Sequence, residues 1–116
     1  MELMKMIRGE IYFANLDPTV GSEIKKKRPV LIVSNNANNT AASTITIVPI
    51  TSNVTKVYPF EVLLQTDDSG LSKISKAQCH QVRTISTIRI RNKRIGLANK
   101  KIMDRIEAAL KLHLDL

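Results

Sequence analysis

Apolar and polar residues trade places with a period of two along most of this chain, and with a helical period only at its end. Gly9 to Asn15 (GEIYFAN) puts Ile11 and Phe13 on one face and Tyr12 and Ala14 on the other, which predicts a first strand. Val30 to Val33 has no polar residue on either face and belongs in the middle of the fold. Thr44 to Ile50 (TITIVPI) sets Ile45 and Ile47 against Thr44, Thr46 and Val48, a further strand with Pro49 near its end because proline cannot donate to a ladder. Pro59 leads into a strand from Phe60 to Leu64, and Asp67-Asp68-Ser69-Gly70 reads as a turn. The β-branched ends of Lys73 to Ile85 (KISKAQCHQVRTI) predict one strand with a wet face. Two short strands follow, around Ile88 to Ile90 and Arg94 to Leu97, with Arg89, Arg91 and Lys93 on one side and Ile88 and Ile90 on the other.

The pattern changes at Asn99, a good N-cap for a helix from Lys100 to Leu114. Ile102, Met103, Ile106, Ala109, Leu110 and His113 form its apolar stripe, although Lys100 and Lys101 oppose the helix dipole. Leu16 to Lys27, with Asp17-Pro18 and Gly21, is a loop long enough to be functional. Asn35 to Ser43 (NNANNTAAS) is turn-like and holds a helical turn at most. Many strands followed by one helix predict an α+β class, a mainly antiparallel, barrel-like domain with a C-terminal α-helix, spanning 1–116 as a single unit.

Composition adds charge to that outline. The chain has 116 residues, with 18 Lys and Arg against 10 Asp and Glu, a net charge of +8. So basic a small domain favours a polyanionic partner: nucleic acid, an acidic membrane surface or an acidic protein. No apolar run approaches membrane-spanning length, and MELMKMIRGE lacks the apolar core of a secretory signal. One cysteine, Cys79, excludes an internal disulfide framework and fits a reducing cytoplasm. With His80 and His113 it is too few for a standard structural zinc site. The aromatics are only Tyr12, Phe13, Tyr58 and Phe60, which argues against base-stacking platforms of the RRM type.

The densest chemistry lies in Lys25 to Ser34, KKKRPVLIVS. Pro29 pushes Arg28 towards an extended conformation at the mouth of the central strand. A guanidinium held there matches a phosphate; read alone, the stretch is equally a solvated basic turn feeding a core strand.

Four segments together resemble one family. Arg8-Gly9-Glu10-Ile11-Tyr12 with Leu16-Asp17-Pro18-Thr19 and Gly21-Ser22-Glu23 is similar to the opening of the MazF/PemK (Kid) toxins of type II toxin–antitoxin systems. Arg28-Pro29-Val30-Leu31-Ile32-Val33, Val48-Pro49-Ile50-Thr51 and Cys79-His80-Gln81-Val82-Arg83-Thr84-Ile85 match their later signatures, in order. The resemblance implies an SH3-like barrel of CcdB/PemK type, working as a cytoplasmic homodimer. It implies a sequence-specific endoribonuclease that needs no metal or other cofactor and cuts single-stranded mRNA. The ribose 2′-OH would attack the adjacent phosphodiester, leaving a 2′,3′-cyclic phosphate and a 5′-OH. A cognate acidic antitoxin would block the site. Two rivals keep the fold: a CcdB-like toxin that binds DNA gyrase, and a relative that binds RNA without cutting it.

In-line attack needs a base, an acid and donors for the charged phosphorane. The resemblance gives Arg28 a catalytic role, and its pKa above ~12 favours electrostatic clamping over proton transfer. Thr51 offers a hydroxyl to the same oxygen, or caps its own backbone. His80 stands where family members carry an acid; its imidazole either moves the proton or serves as a strand histidine. Gln81 either reads a base edge or satisfies backbone, and Arg83 either meets RNA or pairs with Glu10 or Glu23. Glu23 pins the loop that carries Lys25, Lys26 and Lys27, and those lysines meet phosphates or water. Cys79 reads as a core residue. Arg89, Arg91 and Arg94 form a second RNA or antitoxin surface, or a solvated edge.

Overall fold

The computed structural model describes residues 5–116, so the first four residues of the N-terminal lead lie outside the described residues. Its strands are β1 (Glu10–Asn15), β2 (Lys27–Ile32), β3 (Thr44–Thr51), β4 (Glu61–Leu64), β5 (Ser75–Gln78), β6 (Arg83–Ser86) and β7 (Gly96–Leu97). The helices are α1 (Asn36–Ala41), α2 (Thr66–Ser69) and α3 (Lys100–Leu114). All pairings are antiparallel, in the order β4-β5-β3-β2-β1-β7, with β6 also on β3. The eight-residue β3 is the hub. It pairs with β2 along one edge and with β6, then β5, along the other, and this sharing curls the sheet.

Alternation decides which side chains go where. Ile11, Leu31, Val48 and Ile50 join Val62, Leu64, Ala77 and Cys79 under α3, which adds Ile102, Met103, Ile106 and Ala109. Tyr12, Ala14, Val30, Ile32, Ile45, Ile47 and Ile85 take the opposite parity and form a second core with Leu16 and Ile90. A strand buried on both faces has no polar position, as the run from Val30 to Ile32 foretold. Helix α3 has the expected bounds, and its Asn99 cap accepts from Ile102 N at 2.9 Å. Lys100 is offset by Asp104 one turn on.

Four expectations need correcting. Asn35–Ser43 holds more than a turn: Asn35 Oδ1 accepts from Asn38 N and caps the six-residue α1. Asp67–Gly70 belongs to the short helix α2, closed by Gly70 at φ 76°. Residues 73–85 form two strands separated by a 3-10 turn, Cys79–Gln81. Residues 87–89 form another 3-10 turn in place of a strand, so Ile88 is 78% exposed while Ile90 is buried; they do not share a face.

The loop after β3 is tied down by a buried ion pair. Glu61 and Lys76 meet at 3.0 Å with side chains 1% and 10% exposed. Lys76 Nζ also donates to Lys56 O at 2.6 Å, and Glu61 Oε1 accepts from Tyr58 N at 3.0 Å. Removing only the cation strands a carboxylate in the core. Lys76→Met is expected to lower the free energy of urea unfolding by about 3–5 kcal/mol, with Lys76→Met/Glu61→Leu recovering more than half of that loss.

Candidate active site and nucleic-acid interface

The register of β3 assembles the site. Val30 lies opposite Pro49 and Leu31 opposite Val48, and the β2–β3 pairing ends there; Arg28, two residues before Val30, and Thr51, two residues after Pro49, extend their strands beyond that last pair with its parity. Val33 N donates to Thr46 O, so the even-numbered residues of β3 bond towards β2. Val30 and Pro49, the last pair of that ladder, are therefore a non-hydrogen-bonded pair, the kind whose side chains approach most closely.

On the other edge of β3, Ile50 pairs with Ala77 and Ile47 with Arg83. The partner chain advances six residues while β3 advances three, and the surplus Cys79–Gln81 is extruded as the 3-10 turn. Pro49 faces this break, so its missing N–H removes no ladder bond. The extrusion sends neighbouring side chains to different places. Gln81 turns towards the β1–β2 loop, its Oε1 accepting from Ile24 N and its Nε2 donating to Ser22 O, both at 3.3 Å. Of the two roles considered for Gln81, backbone satisfaction is the one the geometry shows.

Around Arg28, the loop is held by short-range bonds. Glu23 Oε1 accepts from Val20 N at 2.6 Å, and Asp17 Oδ1 accepts from Lys26 N at 3.2 Å. Lys26 adopts φ 71°, and Leu16 N donates back to its carbonyl at 3.0 Å. Arg28 Nε donates to Lys25 O at 3.0 Å, which orients the guanidinium without neutralising it. Among the described residues, no ion pair engages Arg28. Lys25, Lys26 and Lys27 are exposed beside it. Thr51 Oγ1 accepts from Asn53 N at 3.2 Å, so the threonine does cap its own backbone while its hydroxyl hydrogen stays free to donate.

Arg83 does not pair with either carboxylate considered for it. Its Nη1 donates to Leu16 O at 3.3 Å, whereas Glu10 is taken by Arg94 at 3.1 Å and Tyr12 Oη at 3.0 Å, and Glu23 by its own loop. The correction has a simple cause: β1 pairs with β7, which delivers Arg94 and not Arg83 to Glu10.

His80 lies in the 3-10 turn between β5 and β6, which line the edge of β3 opposite β2 and Arg28. Its ring meets Phe60 edge-on at 4.5 Å and lies 6.4 Å from His113. Phe60 stacks on Tyr58 at 5.3 Å, so two of the few aromatics and both histidines form one row. Composition could not reveal that row, because it joins the segment just before β4, the 3-10 turn and the end of α3. His80 Nδ1 is buried and has no hydrogen-bond partner. Burial pushes the His80 pKa below 6.5, with His113 and Lys76 adding to the fall and Glu61 opposing it. His113 itself is exposed. Cys79 lies in the core, where burial raises its thiol to about 12, too high for a nucleophile at neutral pH.

A profile of the PemK-like, MazF-like toxins of type II toxin–antitoxin systems matches residues 7–114. The endoribonuclease MazF9 of Mycobacterium tuberculosis is 46% identical over 116 residues, covering 96% of this chain and 98% of that protein. The endoribonuclease EndoA of Bacillus subtilis is 34% identical over 110 residues, with 94% of each chain covered. The crystal structure of MazF from Deinococcus radiodurans superposes with a TM-score of 0.84 at 25% identity, covering 97% of this chain and 99% of that one. A mycobacterial endoribonuclease in complex with its cognate antitoxin shares the fold with a TM-score of 0.79 at 24% identity, over 96% of each chain.

The His80 shift has a consequence for stability. A folded-state pKa below the unfolded value of 6.5 means the unfolded chain binds the proton more readily. This contribution is complete above the unfolded pKa and is lost as pH falls through the folded one. The urea midpoint of the wild type is expected to drop more between pH 7.5 and pH 5 than that of His80→Gln; equal drops would show that His80 carries no such linkage.

Proposed function

The chain belongs to the PemK-like, MazF-like toxin family of type II toxin–antitoxin systems, and from that membership we propose how its endoribonuclease site works. In this reading the protein cuts single-stranded RNA at the paired ends of β2 and β3, with Arg28 and Thr51 on the scissile phosphate. The observation that supports it is the β2–β3 register, with Arg28 and Thr51 just beyond its last pair, Val30 and Pro49, one carrying an unpaired guanidinium and the other a free hydroxyl hydrogen. Arg28 offers a planar fork of donors to the non-bridging oxygens, and these bonds strengthen as charge builds on the phosphorane. Thr51 adds a neutral donor. The ribose 2′-OH attacks phosphorus, the P–O5′ bond breaks, and the ends are a 2′,3′-cyclic phosphate and a 5′-OH.

In-line displacement puts the attacking and leaving oxygens on opposite sides of phosphorus. Arg28 comes from the β2 edge of β3 and His80 from the turn on its β5–β6 edge, which suits such a division. His80 is the proton carrier here: burial lowers its pKa below the usual imidazole value, so the ring is neutral and able to accept a proton at pH 7. Glu23, Gln81 and Arg83 hold the loop against the RNA, and Lys25, Lys26 and Lys27 draw the strand in through its phosphates. The working unit is a cytoplasmic homodimer, neutralised by an acidic antitoxin that competes for the same cationic loop. No metal is required, because the attacking hydroxyl belongs to the substrate.

Purified protein in EDTA is expected to cleave single-stranded RNA to cyclic-phosphate ends. Arg28→Ala should lower kcat by about 10²–10³-fold, the usual loss for a donor to a developing oxyanion. Arg28→Lys should restore little, since an ammonium lacks the fork. In His80→Ala, kcat should fall and lose its acid limb between pH 5 and 8; wild-type rates across that range would remove His80 from the chemistry. RNA affinity should weaken steeply with salt, and Lys25→Ala/Lys26→Ala should flatten that slope by about 1.4.

A further inference from the structure

Strand alternation sends Lys27 and Arg28 to opposite faces of the β1–β2 hairpin. The face away from Arg28 is not bare. Phe13 and Asn15 stand on it from β1, Lys27 from β2, and the segment Ser86–Asn92 closes it as an opposite wall. The cleft between them encloses about 670 Å³, within the ~300–1,000 Å³ usual for small-molecule sites.

Each wall has a reason to be where it is. Arg89 Nη1 donates to the carbonyls of Asn15 at 3.0 Å and Asp17 at 2.6 Å, which clamps the 3-10 turn onto the hairpin. That spends Arg89 on structure. Asp17, the one carboxylate among the lining residues, is turned into its own loop by Lys26 N and Thr19 Oγ1. Arg91 is exposed, and among the described residues no ion pair engages it. Lys27 Nζ lies 5.8 Å over the Phe13 ring, and Phe13 itself is 37% exposed on a strand whose other apolar residues are all buried. The cleft therefore offers unneutralised cations beside a flat apolar surface, with Asn92 and Asn15 amides at its margin. Anionic and planar together describe a nucleotide better than an acidic peptide, which would leave Phe13 and the 78%-exposed Ile88 unused.

We propose that this outer face is a second nucleotide subsite, in which Lys27 and Arg91 hold a phosphate and Phe13 packs against the base of a residue flanking the cut. The proposal rests on the endoribonuclease reading for its substrate, and the Lys25–Lys26 turn is the path by which the strand rounds the hairpin from Arg28. The subsite lengthens the RNA footprint beyond the scissile step and contributes to choosing among sequences.

The test uses the full chain and a fluorescein-labelled, mixed-base single-stranded 14-mer RNA. In an Arg28→Ala background, where cutting is slow enough for binding to be read at short times, adding Phe13→Ala or Arg91→Gln should each weaken 14-mer binding about tenfold, at the lower end of what base stacking and a phosphate contact supply. With Arg28 intact, both variants should cleave the shortest fragment that the wild type still cuts at the wild-type rate. Unchanged 14-mer affinity overturns the proposal. So does an equal loss on short and long RNA, which would make the face a support for the fold or the central site. Unchanged RNA affinity with weakened binding of poly-glutamate would assign the face to an acidic protein. A wild type that binds the 14-mer but cuts no RNA would end the endoribonuclease reading, while the binding arm still decides this one.

Discussion

Three surplus residues between the stretches of β5 and β6 that share β3 are the constraint on which the site depends. A continuous ladder from Ser75 to Ser86 would place His80, Gln81 and Arg83 by simple alternation. The 3-10 turn at Cys79–Gln81 breaks that alternation beside Pro49, the one residue of β3 with no N–H to lose. Cys79 drops into the core, His80 turns to Phe60, and Gln81 reaches the loop that carries the lysines. Beyond the break β3 continues to Thr51 alongside β5. One irregularity thus serves both packing and loop anchoring.

Electrostatics then sorts the cations. Of the basic side chains, Arg94 is neutralised by Glu10, Lys76 by Glu61, and Arg8 meets Glu107 at 3.5 Å. Arg83 and Arg89 spend their donors on backbone carbonyls. Arg28, Arg91 and the lysines of the loop have no ion-pair partner among the described residues, so the β1–β2 loop and its surroundings carry a cluster of uncompensated positive charge. Repulsion among these cations costs stability, and the core beneath them, apolar on both sides of β2, absorbs that cost.

Much of this architecture was legible in the residues. The two-residue period of β1 and β3, the unbroken apolar run of β2 and the capped stripe of α3 are local signals, and local signals survive without a structure. The failures share a different cause. Residues 73–85 look like one strand because the surplus can be counted only against β3, a partner distant in sequence. Glu10 was offered Arg83 instead of Arg94 because the choice depends on β7 pairing with β1. Ile88 looks like a core residue until the turn at Thr87–Arg89 throws it outward. The aromatic row is invisible for the same reason. Arg28 and Thr51 were singled out through family likeness, while register sets them just beyond the last β2–β3 pair.

The most direct measurement is therefore a double-mutant cycle on RNA cleavage, with kcat determined for the wild type, Arg28→Ala, Thr51→Ala and the pair. Two donors on one phosphate act as a unit, so the double variant should lose much less than the product of the single losses, a coupling of about 1 kcal/mol or more. Losses that simply multiply would mean that Arg28 and Thr51 act at separate places, and the site at the paired strand ends would be wrong.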